Sequence, residues 1–332
     1  MIDQDNLNKV IEYINDAYAV VGLSPEISFD LSQHALEISE QFSFNKGIGA
    51  AYLHMGIALY HKNMYRKAYD YYLKALKYFD PVSEDWFIRM TKNNLGILHS
   101  RWDNEIEALK CYQESFEGLN YENNEILIKS AILSLNNIAQ CYLRLGDTGL
   151  SSDYYEKAYA LALTLENPYC LGLTYNNIGA FFKKIKSYSQ AIRYFELSNV
   201  IFVKAELFRE TIDSLNHLAE IYLIRHEVEI ACENVRIALE RAQKLKAHYE
   251  ECSSYLILSK IHAFQNEVND RDLYIGKALD LALRFEFTKQ LNDIYNQQIT
   301  FAKEDFDDSK ANHYQTLLES LKSEVDQIIN SI

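Results

Sequence analysis

The feature that most constrains the fold is a pattern of small and aromatic residues that recurs about every 40 residues. In residues 174–199 the order is large apolar, small, aromatic, small, aromatic and small: Ile178, Gly179, Phe182, Ala191, Phe195 and Ser198. Two helices that cross closely need small residues where their backbones touch, and rings that fill the gaps beside them. This stretch therefore predicts a pair of tightly packed helices.

The pattern keeps a nearly constant period along the chain. If Gly179 is called position 8 of its repeat, the equivalent residues lie 40 residues apart, with one interval of 43: Gly56, Gly96, Ala139, Ala219 and Ser259. Position 20 is small as well, with Arg271 as the exception: Ala68, Ala108, Ser151, Ala191 and Ala231. Position 27 is small in every copy: Ala75, Ser115, Ala158, Ser198, Ala238 and Ala278. Such regularity predicts stacked helix pairs that bury their apolar faces against one another.

The pattern resembles the tetratricopeptide repeat over nearly the whole chain. That family has about 34 residues and two antiparallel helices per repeat. The longer period is similar to that of kinesin light chains, LGN-type polarity adaptors, bacterial Rap- and PlcR-type peptide receptors, and sensor regions ahead of bacterial signalling enzymes. The resemblance implies an all-α, right-handed superhelical solenoid of about eight helix-turn-helix repeats.

We expect one solenoid domain over residues 1–332. It would comprise a degenerate first repeat at 1–42, six clear repeats at 49–284 and a capping repeat at 288–332. Ser83-Glu84-Asp85 is typical of a helix start. The last helix has a heptad-like seam: Leu318, Leu321, Val325 and Ile328. Packing on the end of the solenoid is the favoured interpretation of this helix, and a coiled-coil connector to a further domain is the alternative.

Composition excludes several classes of function. The formal net charge of −14 argues against nucleic-acid binding, which needs a basic face. Five cysteines without a Cys-x-x-Cys pair favour a reduced, cytoplasmic protein. The N-terminus does not resemble a signal peptide, and no apolar run indicates direct membrane insertion. No phosphate loop and no zinc-type histidine spacing occurs, so we expect no catalytic residues, metal or cofactor in this chain.

Asparagines follow one face of the first helix of the central repeats. Positions 2, 5, 6, 9 and 13 lie opposite the core side, and the resemblance implies that they line a concave groove. Positions 5 and 6 are mainly Asn: Asn93, Asn136, Asn176 and Asn216, then Asn94, Asn137 and Asn177, with His217. A carboxamide can hold a peptide backbone through donors and an acceptor. The resemblance implies this role first for Asn94, Asn137 and Asn177; the alternative is that these residues tie neighbouring helices together.

Position 13 carries a file of basic residues: His61, Arg101, Arg144 and Lys184. Gln140, Glu220 and Lys260 at position 9 would add polar contacts. This file would suit an acidic ligand or a C-terminal carboxylate. The alternative is that these side chains are solvated at the helix ends.

The leading hypothesis is therefore a regulatory or signalling module that binds a peptide or protein segment through an Asn-lined groove. A first alternative is the sensory region of a bacterial signalling enzyme, such as a diguanylate cyclase or histidine kinase, with its catalytic domain beyond Ile332. A second alternative is an oligomeric assembly scaffold that associates through its convex face, or dimerises through the C-terminal helix at 309–330.

Overall fold

The protein is helical throughout the part that the structure describes. This computed structural model describes residues 2–80, 85–119, 121 and 124–331, and it has no strand among them. The first six helices are α1 Gln4–Val20, α2 Pro25–Gln41, α3 Asn45–His61, α4 Tyr65–Leu76, α5 Asp85–Arg101 and α6 Glu105–Phe116. The next ten are α7 Glu125–Leu145, α8 Thr148–Leu165, α9 Pro168–Lys184, α10 Tyr188–Lys204, α11 Thr211–Ile224, α12 Val228–Lys244, α13 His248–Phe264, α14 Val268–Arg284, α15 Thr288–Glu304 and α16 Asp308–Ser331. The predicted all-α fold is confirmed.

Consecutive helices form hairpins, from hairpin 1 (α1 and α2) to hairpin 8 (α15 and α16). The predicted number of about eight helix-turn-helix repeats is therefore confirmed. Most turns contain one residue in the left-handed region, such as Lys186, His226 and Asn266, with φ of 61°, 62° and 60°. Two glycines have this conformation among the described residues: Gly118 after α6, with φ of 67°, and Gly146 in the turn of hairpin 4, with φ of 92°. A residue with a side chain accepts a strain of roughly 1–2 kcal/mol in the left-handed region.

The chain divides into two compact units. Unit 1 comprises Met1–Ser100 and Asn104–Asn120, and unit 2 comprises Arg101–Asp103 and Tyr121–Ile332. Unit 1 thus contains hairpins 1 to 3 almost entirely, and unit 2 contains hairpins 4 to 8. The single domain over residues 1–332 stays a prediction.

Small residues lie against aromatic rings within the hairpins, as the repeat pattern predicts. Gly56 faces Tyr72 in unit 1, and Gly179 faces Phe195 in unit 2. A Cβ atom added at Gly179 would lie 2.9 Å from the ring of Phe195, which is completely buried. Extra volume at such a contact typically costs 1–3 kcal/mol, so glycine sets how closely the two helices approach.

Arg271 has a structural role at the one position-20 site that is not small. The side chain is buried, and its guanidinium donates to both oxygens of Asp305, at 2.9 and 2.6 Å. It also lies 4.9 Å from the ring of Phe301. Arg271 of α14 therefore binds the C-terminal end of α15, and joins hairpin 7 to hairpin 8.

Two helix predictions fall partly outside the described residues. Ser83 and Glu84, predicted to start a helix, lie outside the described residues. The 24-residue α16 packs along α15, with Leu318 buried and Leu321 and Val325 half-buried. The side chain of Ile328 also lies outside the description. The capping and connector interpretations of α16 both stay predictions.

Among the described residues, one helix is long and apolar enough to cross a membrane, whereas the sequence predicts no such segment. In Glu125–Leu145 (α7) an 18-residue window has a mean hydropathy of 1.2, and 50% of that window is buried inside the protein. A buried helix of a protein core passes the same test of length and composition.

Candidate functional site

The odd-numbered helices of unit 2 lie side by side. α7 contacts α9, α9 contacts α11, α11 contacts α13, and α13 contacts α15. We call the surface that these five helices present at positions 2, 5, 6 and 9 of each repeat the odd-helix face. This is the surface on which the sequence predicts a groove.

A cavity of about 440 Å³ opens on the odd-helix face between α11, α13 and α15. It is lined by four residues from each helix: Asp213, Asn216, His217 and Glu220; Ser253, Leu256, Ile257 and Lys260; Asp293, Asn296, Gln297 and Thr300. These residues occupy positions 2, 5, 6 and 9 of three successive repeats. One cavity thus brings together side chains that are 40 residues apart in sequence.

Glu220 is the centre of a charge network in the wall of this cavity. Its carboxylate contacts the ammonium group of Lys183 from α9, and that of Lys260 from α13 at 3.2 Å. Burial alone would raise the pKa of Glu220, but these two ammonium groups hold it well below its usual range. Glu220 is therefore ionised at neutral pH, and it links three consecutive odd-numbered helices.

His217 extends the network toward Asp213. The ammonium group of Lys183 lies 2.9 Å from Nδ1 of His217, which makes that nitrogen the acceptor and places the ring proton on Nε2. Nε2 lies 3.7 Å from the carboxylate of Asp213. Burial would raise the pKa of Asp213, but His217 and a hydrogen bond from Asn176 lower it.

Asp293 has a different environment from the other two carboxylates. Burial raises its pKa, against the opposing effect of Lys289 and Lys260. Its carboxylate makes no ion pair or hydrogen bond with any other described residue. Asp293 is therefore an acidic group in the cavity that is not neutralised by a direct partner in the described chain.

The asparagines of α7 and α9 bond to the neighbouring helix. Asn136 is fully buried; its amide group donates to the Ile132 carbonyl and to the Thr174 hydroxyl, both at 2.9 Å. Its Oδ1 accepts from the amide of Asn177 at 3.2 Å. These contacts join α7 to α9, which is the alternative role considered for the Asn files.

Asn176 and Asn216 also contact the next odd-numbered helix. Asn176 is buried and donates to the Asp213 carboxylate at 2.9 Å, while its own Oδ1 makes no hydrogen bond. Asn216 accepts from the Ser254 hydroxyl at 2.9 Å and lines the cavity. Of the Asn and His residues predicted for the groove at positions 5 and 6, only Asn216 and His217 reach this cavity.

The remaining predicted groove residues are dispersed. Asn137 and Gln140 are half-buried on α7, while Arg144 and Lys184 are exposed at the ends of α7 and α9. In α5, which lies almost wholly in unit 1, Asn93, Asn94 and Arg101 are half-buried. Their role in ligand binding stays a prediction.

The sequence predicts Glu220 and Lys260 as polar groove contacts, and both line the cavity. It does not single out Asp213, Asp293 or the neighbouring Lys183. Asp213 and Asp293 occupy position 2, and Lys183 occupies position 12, next to the predicted Lys184. The available signal was the recurrence of polar residues at position 2 in the last three repeats: Asp213, Ser253 and Asp293.

A second group of side chains has spacing suited to a cation. His262, Glu267 and Asp270 bring one ligand atom each to within 4.8 Å of one another, at the turn between α13 and α14. Glu267 and Asp270 are exposed, and His262 already contacts Glu267 at 2.6 Å. Nothing else in the described residues points to a bound ion at this turn.

Comparison with known proteins identifies the repeat. Residues 130–198 match the family model of the tetratricopeptide repeat. No curated protein matches the sequence of this chain. The sequence resemblance to the tetratricopeptide repeat superfamily is therefore confirmed by the family model within unit 2.

Solved structures extend the similarity to the whole chain. A Rap protein complexed with Competence and Sporulation Factor is 14% identical, with a TM-score of 0.70, over 96% of this chain and 99% of that chain. The Rap conjugation gene regulator of the plasmid pLS20, in complex with the Phr* peptide, is also 14% identical, with a TM-score of 0.70 over 96% of each chain. The apo quorum sensor NprR from B. thuringiensis is 16% identical, with a TM-score of 0.66 over 97% of this chain and 89% of that chain. At these identities, the likeness is one of fold.

Proposed function

We propose that this chain is a regulatory module that binds an extended peptide or protein segment along the odd-helix face of unit 2. The observation that carries the proposal is the cavity between α11, α13 and α15, because twelve residues at four equivalent repeat positions line it. Its volume of about 440 Å³ lies within the range of protein ligand sites. The similar solved structures include one with a bound Phr* peptide, which favours a peptide as the ligand.

Amide side chains in the cavity are suited to hold the ligand backbone. Asn216, Asn296 and Gln297 come from α11 and α15, on either side of the cavity. A carboxamide offers donors and an acceptor, so it can bind backbone N–H and C=O groups whatever the ligand sequence. The amide group of Asn296 already donates to the carbonyl and Oδ1 of Asn292, both at 2.8 Å, so Asn296 would bind the ligand through its oxygen. We extend this role to Asn137 and Gln140 on α7, whereas Asn136 and Asn177 chiefly hold α7 against α9.

The charges of the cavity favour a ligand with a cationic group. Lys183 and Lys260 are already bound to Glu220, so they are poorly placed to attract an anion. Asp213 and Asp293 then remain to receive an ammonium or guanidinium group. An acidic group or C-terminal carboxylate of the same ligand would point toward Arg144 and Lys184, which are exposed at the ends of α7 and α9.

A selection from a random peptide library on the purified chain tests this function. We expect the selected peptides to carry Lys, Arg or a free N-terminal ammonium group. The double variant Asp213→Asn, Asp293→Asn should weaken their binding at least tenfold, which corresponds to about 1.4 kcal/mol. The matched control is Asp153→Asn, which changes an exposed carboxylate on α8. The proposal would be contradicted if the selection yields no peptide, or if the selected peptides bind the double variant as tightly as the Asp153→Asn control.

The two alternative functions stay predictions. A sensory region would transmit its signal through α16 to a further domain. A scaffold would self-associate, so a chain that sediments as a monomer at high concentration would count against it.

A further inference from the structure

One carboxylate in the cavity wall connects three consecutive hairpins. Glu220 of α11 accepts from Lys183, in the last turn of α9, and from Lys260 of α13 at 3.2 Å. These three helices belong to hairpins 5, 6 and 7. We call Glu220, Lys183 and Lys260 the Glu220 clamp.

The surroundings of the clamp strengthen it relative to a surface ion pair. The three side chains are only 21% (Lys183), 25% (Glu220) and 31% (Lys260) exposed. Opposite charges attract more strongly where water is partly excluded, and salt screens them less. His217 also accepts from Lys183 at 2.9 Å, which fixes the direction of that ammonium group.

Removal of the charge on Glu220 would weaken the link between the three helices, and it would also introduce a repulsion between α9 and α13. Two ammonium groups, one from α9 and one from α13, would then face each other with no carboxylate between them. Like charges at short range repel, and their repulsion is larger in a partly desolvated site than in bulk water. The spacing of α9, α11 and α13 thus depends on Glu220 remaining ionised and paired.

We propose that the Glu220 clamp is a latch that sets the spacing of hairpins 5 to 7, and that a cation entering the cavity releases it. Glu220 is one of the cavity-lining residues, so a ligand ammonium or guanidinium group competes with both lysines for the same carboxylate. The release step rests on the function proposed above. The spacing step concerns the protein without ligand.

The test is a distance measurement between α9 and α13. Spin labels attached to unnatural residues at Ile185 and Gln265, which are exposed and occupy equivalent repeat positions, report this distance by double electron–electron resonance. We expect Glu220→Gln to lengthen the distance by more than about 1 Å, the scale of backbone shifts in pre-organised interfaces. Adding Lys183→Met and Lys260→Met to this variant removes the repulsion, and should return the distance toward that of the wild type.

Two controls separate the latch from a loss of folding. Glu233→Gln neutralises an exposed partner of Arg236 on α12, and should leave the distance unchanged. High salt in the wild type should shift the distance in the same direction as Glu220→Gln. The latch is wrong if Glu220→Gln keeps the wild-type distance, or if the neutral triple variant is displaced as far as Glu220→Gln.

The release step has its own measurement. Argininamide, a small guanidinium probe, should lengthen the distance in the wild type and have no effect in Glu220→Gln; an unchanged wild-type distance would overturn the release step. Failure of the peptide selection would remove the proposed function and leave the spacing result standing. If the Glu220→Gln protein binds peptide and keeps the wild-type distance between α9 and α13, the latch is wrong and the proposed function stands.

Discussion

Two regions of the odd-helix face use asparagine at the same repeat position in different ways. Between α7 and α9, Asn136 at position 5 bonds to Thr174 at position 3 of the next repeat. Between α11 and α13, Asn216 at position 5 bonds to Ser254, again at position 3 of the next repeat, yet it also lines an open cavity. The first region is buried and neutral, and the second is charged and open.

The difference shows that residue type and repeat position do not fix the role of a side chain. The partner on the next helix decides it. Asn136 and Asn216 each bond to a hydroxyl at position 3 of the next repeat, and so tie two hairpins together.

Asn176 makes no such bond, although Ser214 occupies position 3 of the next repeat. The Ser214 hydroxyl bonds to Asn199 and to the Thr211 carbonyl. Asn176 donates to Asp213 instead, and its buried Oδ1 is left without a hydrogen bond. Asn176 thus lies at the boundary between the two regions.

The largest effect is expected from a substitution in the neutral region between α7 and α9. Asn136→Ala removes three buried hydrogen bonds and leaves the Asn177 amide without its acceptor, so we expect the free energy of unfolding to fall by about 3 kcal/mol. Urea denaturation measures this change. The matched control is Asn296→Ala, because Asn296 is also at position 5 but is exposed; there we expect a change within about 0.5 kcal/mol. Equal losses in the two variants would contradict the comparison.

The next largest effect concerns the ion pair between Arg271 and Asp305, which joins hairpin 7 to hairpin 8. Arg271→Met removes a buried guanidinium that binds both oxygens of Asp305, and should lower the free energy of unfolding by about 2 kcal/mol at pH 7. Its hydrogen bonds lower the pKa of Asp305 below the ordinary value of 3.8. The stability from this pair is therefore present above that value, and is lost as pH falls through the lower pKa of the folded state.

Denaturation at pH 7 and below pH 3 measures the prediction for Arg271. The gap between Arg271→Met and the wild type should shrink in acid. Arg236→Met is the control, because Arg236 forms an exposed ion pair with Glu233 on α12 and should change stability little at either pH. A gap that stays constant in acid would show that Arg271 acts through packing against Phe301 rather than through Asp305.

A smaller change, an increase in the free energy of unfolding, is expected for a substitution inside the cavity. Burial raises the pKa of Asp293 above 3.8, so its ionised form destabilises the folded state. The folded state gains relative stability from Asp293 at low pH, and loses it as pH rises through the raised pKa. Asp293→Asn should therefore raise the free energy of unfolding at pH 7, by less than about 1 kcal/mol because the side chain reaches solvent. A decrease would show that Asp293 has a stabilising partner.

The sequence was sufficient to predict the fold because packing repeats in sequence. A small residue such as Gly179 must recur wherever two helices touch, and its aromatic partner Phe195 must follow at a fixed spacing. Arg271 is visible in the sequence as the exception at position 20. Its partner Asp305, 34 residues later, lies outside the recurring pattern of small and aromatic residues. An exception in a pattern can thus be found from sequence, while its explanation requires the structure.

The candidate site was only partly predictable. The choice of positions 2, 5, 6 and 9 anticipated all twelve residues of the cavity as a class, but the Asn files pointed to other repeats. Asparagine can bond to a neighbouring helix or to a ligand with the same donors and acceptor. Asn136 bonds to Thr174, 38 residues later, whereas Asn176 does not bond to Ser214 at the same spacing, so no local pattern reveals the pairing.

The smallest prediction concerns adjacent lysines at the end of α9. The sequence predicts a groove role for Lys184, at position 13. In the structure, Lys183 at position 12 forms an ion pair with Glu220, and Lys184 is exposed. One residue along a helix is a rotation of about 100°, which carries the side chain to another face. A double-mutant cycle between Lys183→Met and Glu220→Gln should give a coupling of about 0.5–1 kcal/mol. The same cycle with Lys184→Met should give none, and a coupling at Lys184 as large as that at Lys183 would mean that both lysines share the carboxylate in solution.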